Sequence, residues 1–284
     1  MSLIFSLLSR LSLPTCHRLG GLLGGLVYRL SSRYRRTLQA NLRQATGDAP
    51  PALCREIAAE TGKQMLELPR IWLRSLDQAV ADVVAVEGWK WVEAARQSGK
   101  GILFITPHLG CFEITAQFLS TRAPITVLYR PPRQAAVQTL IETGRKRDNL
   151  HLAPADLSGV RSLVKALRKG EDVGLLPDQA PKLGEGVWLD FFGRPAYTMT
   201  LAARLSETGA ATLMIWGERL PAGQGYRIHI TPTQQPLQGS TIERAAQINR
   251  EVEALILTRP EQYLWAYNRY KRPAGAEPPP GAAV

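Results

Sequence analysis

Residues 101–113 read GILFITPHLGCFE, and this stretch decides the fold. Residues 102–106 form an apolar run of the length and composition of a buried strand. Pro107 disfavours helix in the residue before it, and Gly110 permits a tight turn. Helical spacing then runs from Phe112 to Ser120. Strand, sharp loop and helix follow one another within twenty residues. Outward from this unit the same texture repeats. The spacing predicts further strands over 83–86, 125–129, 173–176, 212–216 and 227–231. Helices are predicted over 134–147, 157–168, 198–208 and 241–257, and a helical region over 37–74 is divided by a turn at Gly47-Asp48-Ala49-Pro50-Pro51. The alternation predicts an α/β fold: a layered sandwich with a mostly parallel central sheet flanked by helices. In such sheets ligands gather at the carboxyl ends of strands, where His108 stands.

His108 and Glu113 are five residues apart. In one continuous helix they would diverge by about 140°. They can meet if His108 sits in the loop leaving the strand and Glu113 in the first turn of the helix. A carboxylate on one ring nitrogen would fix the imidazole tautomer and leave the other nitrogen free to take a proton. Taken alone the pair is weak, because a strand-end histidine is commonly a hydrogen-bonded structural residue. HLGCFE is not HExxH, so no metal is expected. Cys111 lies beside the pair, but no GxSxG elbow accompanies it and no covalent nucleophile is implied.

The chain has 284 residues, 35 Lys+Arg against 24 Asp+Glu, and 45% apolar residues, which excludes wholesale disorder and coiled coil. Cys16, Cys54 and Cys111 make neither a disulfide framework nor a zinc pattern. Charge is unevenly placed. Arg10, Arg18, Arg29, Arg33, Arg35, Arg36 and Arg43 all precede the first acid, Asp48. That asymmetry points to an anionic partner, a membrane surface or a nucleic acid. No nucleic-acid motif accompanies it, and the basic stretch abuts apolar segments, so no nucleic-acid partner is expected.

The charge-free runs 1–9 and 19–28 are each about half of the ~20 residues that span a bilayer. Leu3, Ile4, Leu7, Leu8 and Leu11 share one arc of a helical wheel. Residues 1–34 are therefore expected to lie in a membrane surface, an amphipathic helix followed by an apolar segment bearing Gly20, Gly21, Gly24 and Gly25. A single tilted span and a transit peptide are the alternatives. Arg29, Arg33, Arg35 and Arg36 are the expected lipid contacts. Residues 35–272 form the globular domain, and the Pro/Gly/Ala-rich tail 273–284 is expected to be disordered.

Several ordered blocks carry a resemblance. They are Asn41-Leu42 after an Arg-rich stretch, the H-x4-E block His108–Glu113, Leu128-Tyr129-Arg130-Pro131, and Leu175-Leu176-Pro177-Asp178-Gln179. Phe191-Phe192-Gly193-Arg194-Pro195-Ala196-Tyr197-Thr198 and the stretch from Gln262-Tyr263-Leu264-Trp265 to Tyr270-Lys271 complete them. From about Arg35 to Lys271 the chain resembles the late acyltransferases of lipid A biosynthesis, the bacterial lauroyl/myristoyl transferase family, related to the glycerol-phosphate acyltransferases. The resemblance implies transfer of a fatty acyl chain from acyl-carrier protein or acyl-CoA to a hydroxyl of an anionic lipid A precursor. It implies work at the cytoplasmic face of the bacterial inner membrane, with no cofactor beyond the donor thioester. His108 would be the general base and Glu113 its orienting carboxylate. Acyltransfer to a glycerophospholipid or another glycolipid, and non-catalytic lipid binding, are the competing readings.

Other candidates follow strand ends. Arg130 is expected to contact phosphate or oxyanion. Arg145 is the expected substrate contact within the basic cluster Arg145-Lys146-Arg147. Asp178 is read as holding an arginine, binding a sugar hydroxyl or capping a turn, with Gln179 a weaker companion. The segment 184–195 reads as a loop near the site with Gly193-Arg194 at its tip, and Arg194 as a substrate contact. Trp265 to Lys271 reads equally as a membrane edge or as packing onto the domain.

Overall fold

The N-terminal third is helical because its punctuation is complete. Helices α1 (Ser2–Arg10), α2 (Leu13–Leu30), α3 (Ser32–Thr46), α4 (Pro51–Leu73) and α5 (Leu76–Val80) follow one another with short breaks. Ser12 and Ser31 cap α2 and α3, accepting from the backbone N–H of Thr15 and Tyr34. Gly47 ends α3 in the left-handed region at φ 79°, and Pro51 opens α4. The computed structural model describes residues 2–130, 138, 142, 144–145 and 147–279, with side chains from residue 4. Most of the helix predicted over 134–147, Lys146 included, lies outside the described residues.

The rest of the chain is built on one sheet. Its strands are β1 (Val83–Glu87), β2 (Ile102–Ile105), β3 (Ile125–Tyr129), β4 (Leu150–Pro154), β5 (Asp172–Leu175), β8 (Ala211–Arg219) and β9 (Tyr226–Pro232). The order is β1-β9-β8-β2-β5-β3-β4, and every neighbouring pair is parallel except β8–β9. The predicted α/β class and mostly parallel sheet are present. Two faces are covered. Helices α6 (Trp89–Gln97) and α7 (Phe112–Ser120) lie over Phe104, Ile125, Val127, Leu213 and Ile215. Helix α8 (Leu157–Arg168), short α9 (Leu201–Ser206) and α10 (Thr241–Thr258) cover Leu103, Ile105, Val173 and Leu175 on the other face, with α3 and α4. Near-continuous apolar strands are what a sheet buried on both faces requires.

Helices α5 and α6 are additions to the sequence reading, and among the strands two regions differ from it. Residues 150–154 form edge strand β4, although His151 and Pro154 dilute the apolar pattern. The segment read as a loop from 184 to 195 is largely a hairpin, β6 (Gly186–Phe191) and β7 (Arg194–Met199). Its two turn residues, Phe192 (φ 50°) and Gly193 (φ 68°), both take positive φ, as a tight hairpin turn of primed type demands. The tail begins with packing contacts: Ala276 is buried and the Trp188 indole donates to the Glu277 carbonyl. Residues 280–284 lie outside the described set.

Helix α2 turns one face to α4. Cα hydrogens stand where side chains would collide: a Cβ on Gly24 would lie 1.9 Å from the Ala58 carbonyl oxygen, and one on Gly62 1.9 Å from that of Gly20. Small residues at this seam let two helix backbones touch. The opposite face of α2 is open and apolar, with Leu19, Leu22, Leu23, Leu26 and Leu30 at helical spacing; Leu22 is 72% and Leu30 76% exposed. Among the described residues no helix is long and apolar enough to cross a membrane.

Candidate active site

The carboxyl ends of β2, β5 and β3 are neighbours, and each delivers a side chain to the same place. Beyond β2 the chain runs through Thr106 and Pro107 to His108. This loop is held by main-chain bonds: Gly110 N–H donates to the Gln262 carbonyl, Cys111 N–H to that of Gly217, and Leu264 N–H to that of His108. Gly110 sits at φ 57°, and a Cβ there would lie 2.1 Å from the Gly217 oxygen, so only glycine fits.

His108 does stand in the loop and Glu113 in the first turn of α7, as the spacing requires. Their side chains nevertheless have different partners. The imidazole Nδ1 lies 2.8 Å from Asp178 Oδ1, and the backbone N–H of His108 donates to Asp178 Oδ2 at 2.9 Å. The other ring nitrogen, Nε2, lies 3.1 Å from the Gln179 side-chain nitrogen. The carboxylate that orients the ring is thus Asp178, not Glu113. Asp178 comes from the end of β5, the strand paired with β2. Its carboxyl is buried, which alone would raise its pKa, but the His108 ring and N–H bonds to it hold it below the ordinary value. The arrangement fixes Nδ1 as the donor to Asp178 and Nε2 as the acceptor from Gln179. Phe112 meets the imidazole edge-on at 4.8 Å.

Glu113 anchors a second cluster. Its Oε2 accepts from the Trp72 indole at 3.0 Å and from Arg145 Nε at 2.9 Å, and Arg145 Nη2 reaches Oε1. The Arg145 guanidinium lies between the rings of Trp72 and Tyr129, 5.8 and 5.7 Å from their centroids. Arg147 is spent on structure, donating to Gln117 and to the Arg74 carbonyl. Arg130 stands exposed at the rim with a 3.4 Å contact to Glu185. Arg194 is elsewhere: on β7, stacked 4.5 Å over Tyr270 and outside the cavity lining. Trp265 is buried, and Arg269 donates to the Tyr197 carbonyl and Thr198 hydroxyl, so this final segment packs onto the domain. Arg29, Arg33 and Arg36 are exposed, whereas Arg35 turns back to the Tyr28 and Arg29 carbonyls.

A cavity of about 290 Å³ opens beside His108. His108, Glu113, Arg130, Arg145 and Gln179 line its polar end, and Phe104, Leu119, Ile125, Val127, Leu150 and Ile215 its apolar end. It lies between α7 and the sheet because β5 carries no side chain there. Gly174 is in register with Phe104 on one side and Val127 on the other. Tyr129 and Gln117 line it too, and among the described residues Tyr129 Oη and Gln117 Nε2 are buried polar atoms without a hydrogen-bond partner. Burial keeps the Tyr129 phenol protonated, with Glu142 adding to the effect, so it remains a donor. Cys111 is sealed, and burial with the nearby Glu67 charge pushes its thiol pKa well up, which makes it a poor nucleophile.

The sequence reading missed Trp72, Tyr129 and Gln117, and gave Asp178 other work. One signal pointed to it: Pro177-Asp178 follows an apolar strand just as Pro107-His108 does.

Comparison with known proteins places the chain in a family. Residues 3–272 match the family model described as bacterial lipid A biosynthesis acyltransferase. The chain is 28% identical over 263 residues to the lipid A biosynthesis palmitoleoyltransferase of Escherichia coli, covering 91% of this chain and 84% of that one. It is 28% identical over 279 residues to the lauroyltransferase of the same organism, covering 95% and 90%. The myristoyltransferase is 23% identical over 222 residues, covering 75% and 67%. The match extends through the N-terminal helices as well as the sheet, and the chain belongs to the bacterial lipid A biosynthesis acyltransferase family.

Proposed function

We propose that this protein transfers a fatty acyl chain from a carrier-protein or CoA thioester to a hydroxyl of an anionic lipid A precursor, at the cytoplasmic face of the bacterial inner membrane. The observation that carries the reading is the His108–Asp178 pair set at the mouth of a half-apolar cavity. An alcohol attacks a thioester well only as its proton leaves. The acceptor hydroxyl takes the place of Gln179 at Nε2 and gives its proton there while its oxygen bonds to the thioester carbon. Asp178 stabilises the imidazolium. The tetrahedral oxyanion collapses, the carbon–sulfur bond breaks, and Nε2–H returns the proton to the departing thiolate. No other co-reactant is needed.

In this reading Glu113 is a positioning residue. It holds Arg145 at the cavity mouth, where a cation can meet precursor phosphate or developing negative charge. The acyl chain lies in the apolar end, over Gly174. The open leucine face of α2 rests in the bilayer surface, and the acid-free run of arginines before Asp48 provides charge complementary to anionic lipid.

Purified protein supplied with an acyl thioester and a tetraacylated lipid A precursor should add one acyl group, seen by mass spectrometry. His108→Ala should lower product formation by about 10³-fold. A precursor left unchanged by the wild-type protein with both carrier-protein and CoA donors would overturn the reading.

A further inference from the structure

Helix α8 carries an acid-free basic stripe, a second one besides the arginines of α2 and α3. Leu163, Ala166 and Leu167 pack inward. Leu157, Arg161, Lys165 and Arg168 all point outward and are exposed, Leu157 at 77%. Their spacing places all four within about 80° of one helix face. The helix itself contains no acid. Asp156 at its start is committed to capping, accepting from the N–H groups of Ser158 and Gly159. Arg70, Arg96, Arg145, Arg219 and Arg259 each meet a carboxylate. Among the described residues Arg161, Lys165 and Arg168 have no such partner, and Lys169 just beyond has only a 3.5 Å contact with Glu171.

The position of this stripe matters as much as its charge. β4 ends at the cavity mouth, where Ala155 lines the wall. β5 begins at the opposite end of the sheet, so α8, the crossover between two strands that run the same way, starts beside the mouth and descends about 18 Å away from it. Its first turn is fixed to the strand end: a Cβ on Gly159 would lie 1.8 Å from the Pro154 carbonyl oxygen. The N-terminal helices sit at the mouth end, with Pro14 packed against Gly223 beyond β8.

We propose that the outward stripe of α8 docks an acidic carrier protein that presents the acyl thioester to the cavity. This rests on the acyl-transfer reading of the site. Three unpaired cations and one exposed leucine on a rigid helix complement a helix bearing carboxylates around an apolar residue. The carrier's flexible thiol arm then has only to pass from α8 to His108.

The test is the triple substitution Arg161→Glu, Lys165→Glu, Arg168→Glu in the full chain. Its thermal melting is compared with wild type to establish folding. Acyl-carrier protein and the same acyl chain on pantetheine are offered as donors. Expected is at least a tenfold loss of kcat/KM with the carrier-protein donor, shrinking as salt rises, with turnover of the pantetheine donor unchanged. Carrier binding measured by fluorescence anisotropy should weaken in parallel. Equal kcat/KM with the carrier protein, an equal loss with both donors, or weakened binding to phosphatidylglycerol vesicles with carrier use intact would overturn the proposal. Failure of the wild type with both donors would instead overturn the acyl-transfer reading beneath it, and failure with the carrier protein alone would overturn the docking proposal.

Discussion

Two histidine–carboxylate pairs, His108–Asp178 and His17–Glu67, have similar contacts and differ in what surrounds them. His108 meets Asp178 at 2.8 Å, with a side chain 17% exposed and its second nitrogen at the cavity wall. His17 meets Glu67 at 3.2 Å, with the two side chains 4% and 0% exposed. Glu67 also takes two bonds from Arg219 and one from the Tyr226 hydroxyl, and Arg219 continues to Glu60. In the first pair the second ring nitrogen faces the cavity and meets only the Gln179 side chain, which a ligand can displace. In the second the carboxylate is saturated and the whole cluster is closed over by α2 and α4. A histidine held by an acid is therefore not in itself a catalytic signal; access to the other nitrogen is.

That contrast breaks first at His108. His108→Ala should lower turnover per folded molecule by about 10³-fold, in the range of lost general-base catalysis, and also lower the melting temperature, because Asp178 stays buried without the ring. Steady-state kinetics and a melting curve check both halves. Asp178→Asn should cost about 10²-fold or more in kcat, because the amide no longer fixes the tautomer or stabilises the imidazolium. If instead Glu113→Gln matches that loss while Asp178→Asn is near wild type, the orienting role passes back to Glu113.

On the other side, Glu67→Gln should leave kcat per folded molecule nearly intact and destabilise the protein by about 3–5 kcal/mol, because it leaves Arg219 buried without its bidentate partner. Urea unfolding measures it. The pH dependence has a definite sign. Burial works to raise the Glu67 pKa, but Arg219 and His17 hold it at about 2 against an ordinary 4.5. A depressed carboxylate contributes stability above its unfolded value, here about 3 kcal/mol, which is lost as pH falls from about 4.5 towards 2. Glu67→Gln should flatten that acid limb, and Asp178→Asn should leave most of it.

The smallest expected effect lies within the cavity. Gly174→Ala adds one methyl group 3.0 Å from Val127 Cγ1 and into the space over β5. It should cost about 1–3 kcal/mol of stability at most and shift donor preference towards shorter acyl chains, read by competition between thioesters of different length. An unshifted preference would place the acyl chain elsewhere.

Much of this was legible in the sequence, and the omissions share a cause. Six of the sheet strands announce themselves as apolar runs, and the turn at 47–51 and the loop at 107–111 are written in Gly and Pro. His108 stands out for the same reason. Its partner did not, because Glu113 is a neighbour in sequence whereas Asp178 is 70 residues away and becomes a neighbour only when β5 pairs with β2. Strand order is a tertiary property. The hairpin β6–β7 was hidden by Gly and Pro residues that serve its turn and ends. Trp72 reaches the site from α4, a helix whose sequence speaks only of its own periodicity.

The glycine seam between α2 and α4 has a mechanical consequence. Backbones in contact at Gly20, Gly24 and Gly62 leave no slack for α2 to swing. The leucine face is then less a tether than a foot: it is part of the same stiff body as α4, which carries Trp72 to Glu113. With such a foot in a lipid surface, the mouth of the cavity is held at one height and one tilt. In the proposed reading, lipid substrate would then come to it by sliding in the plane, a search in two dimensions rather than three.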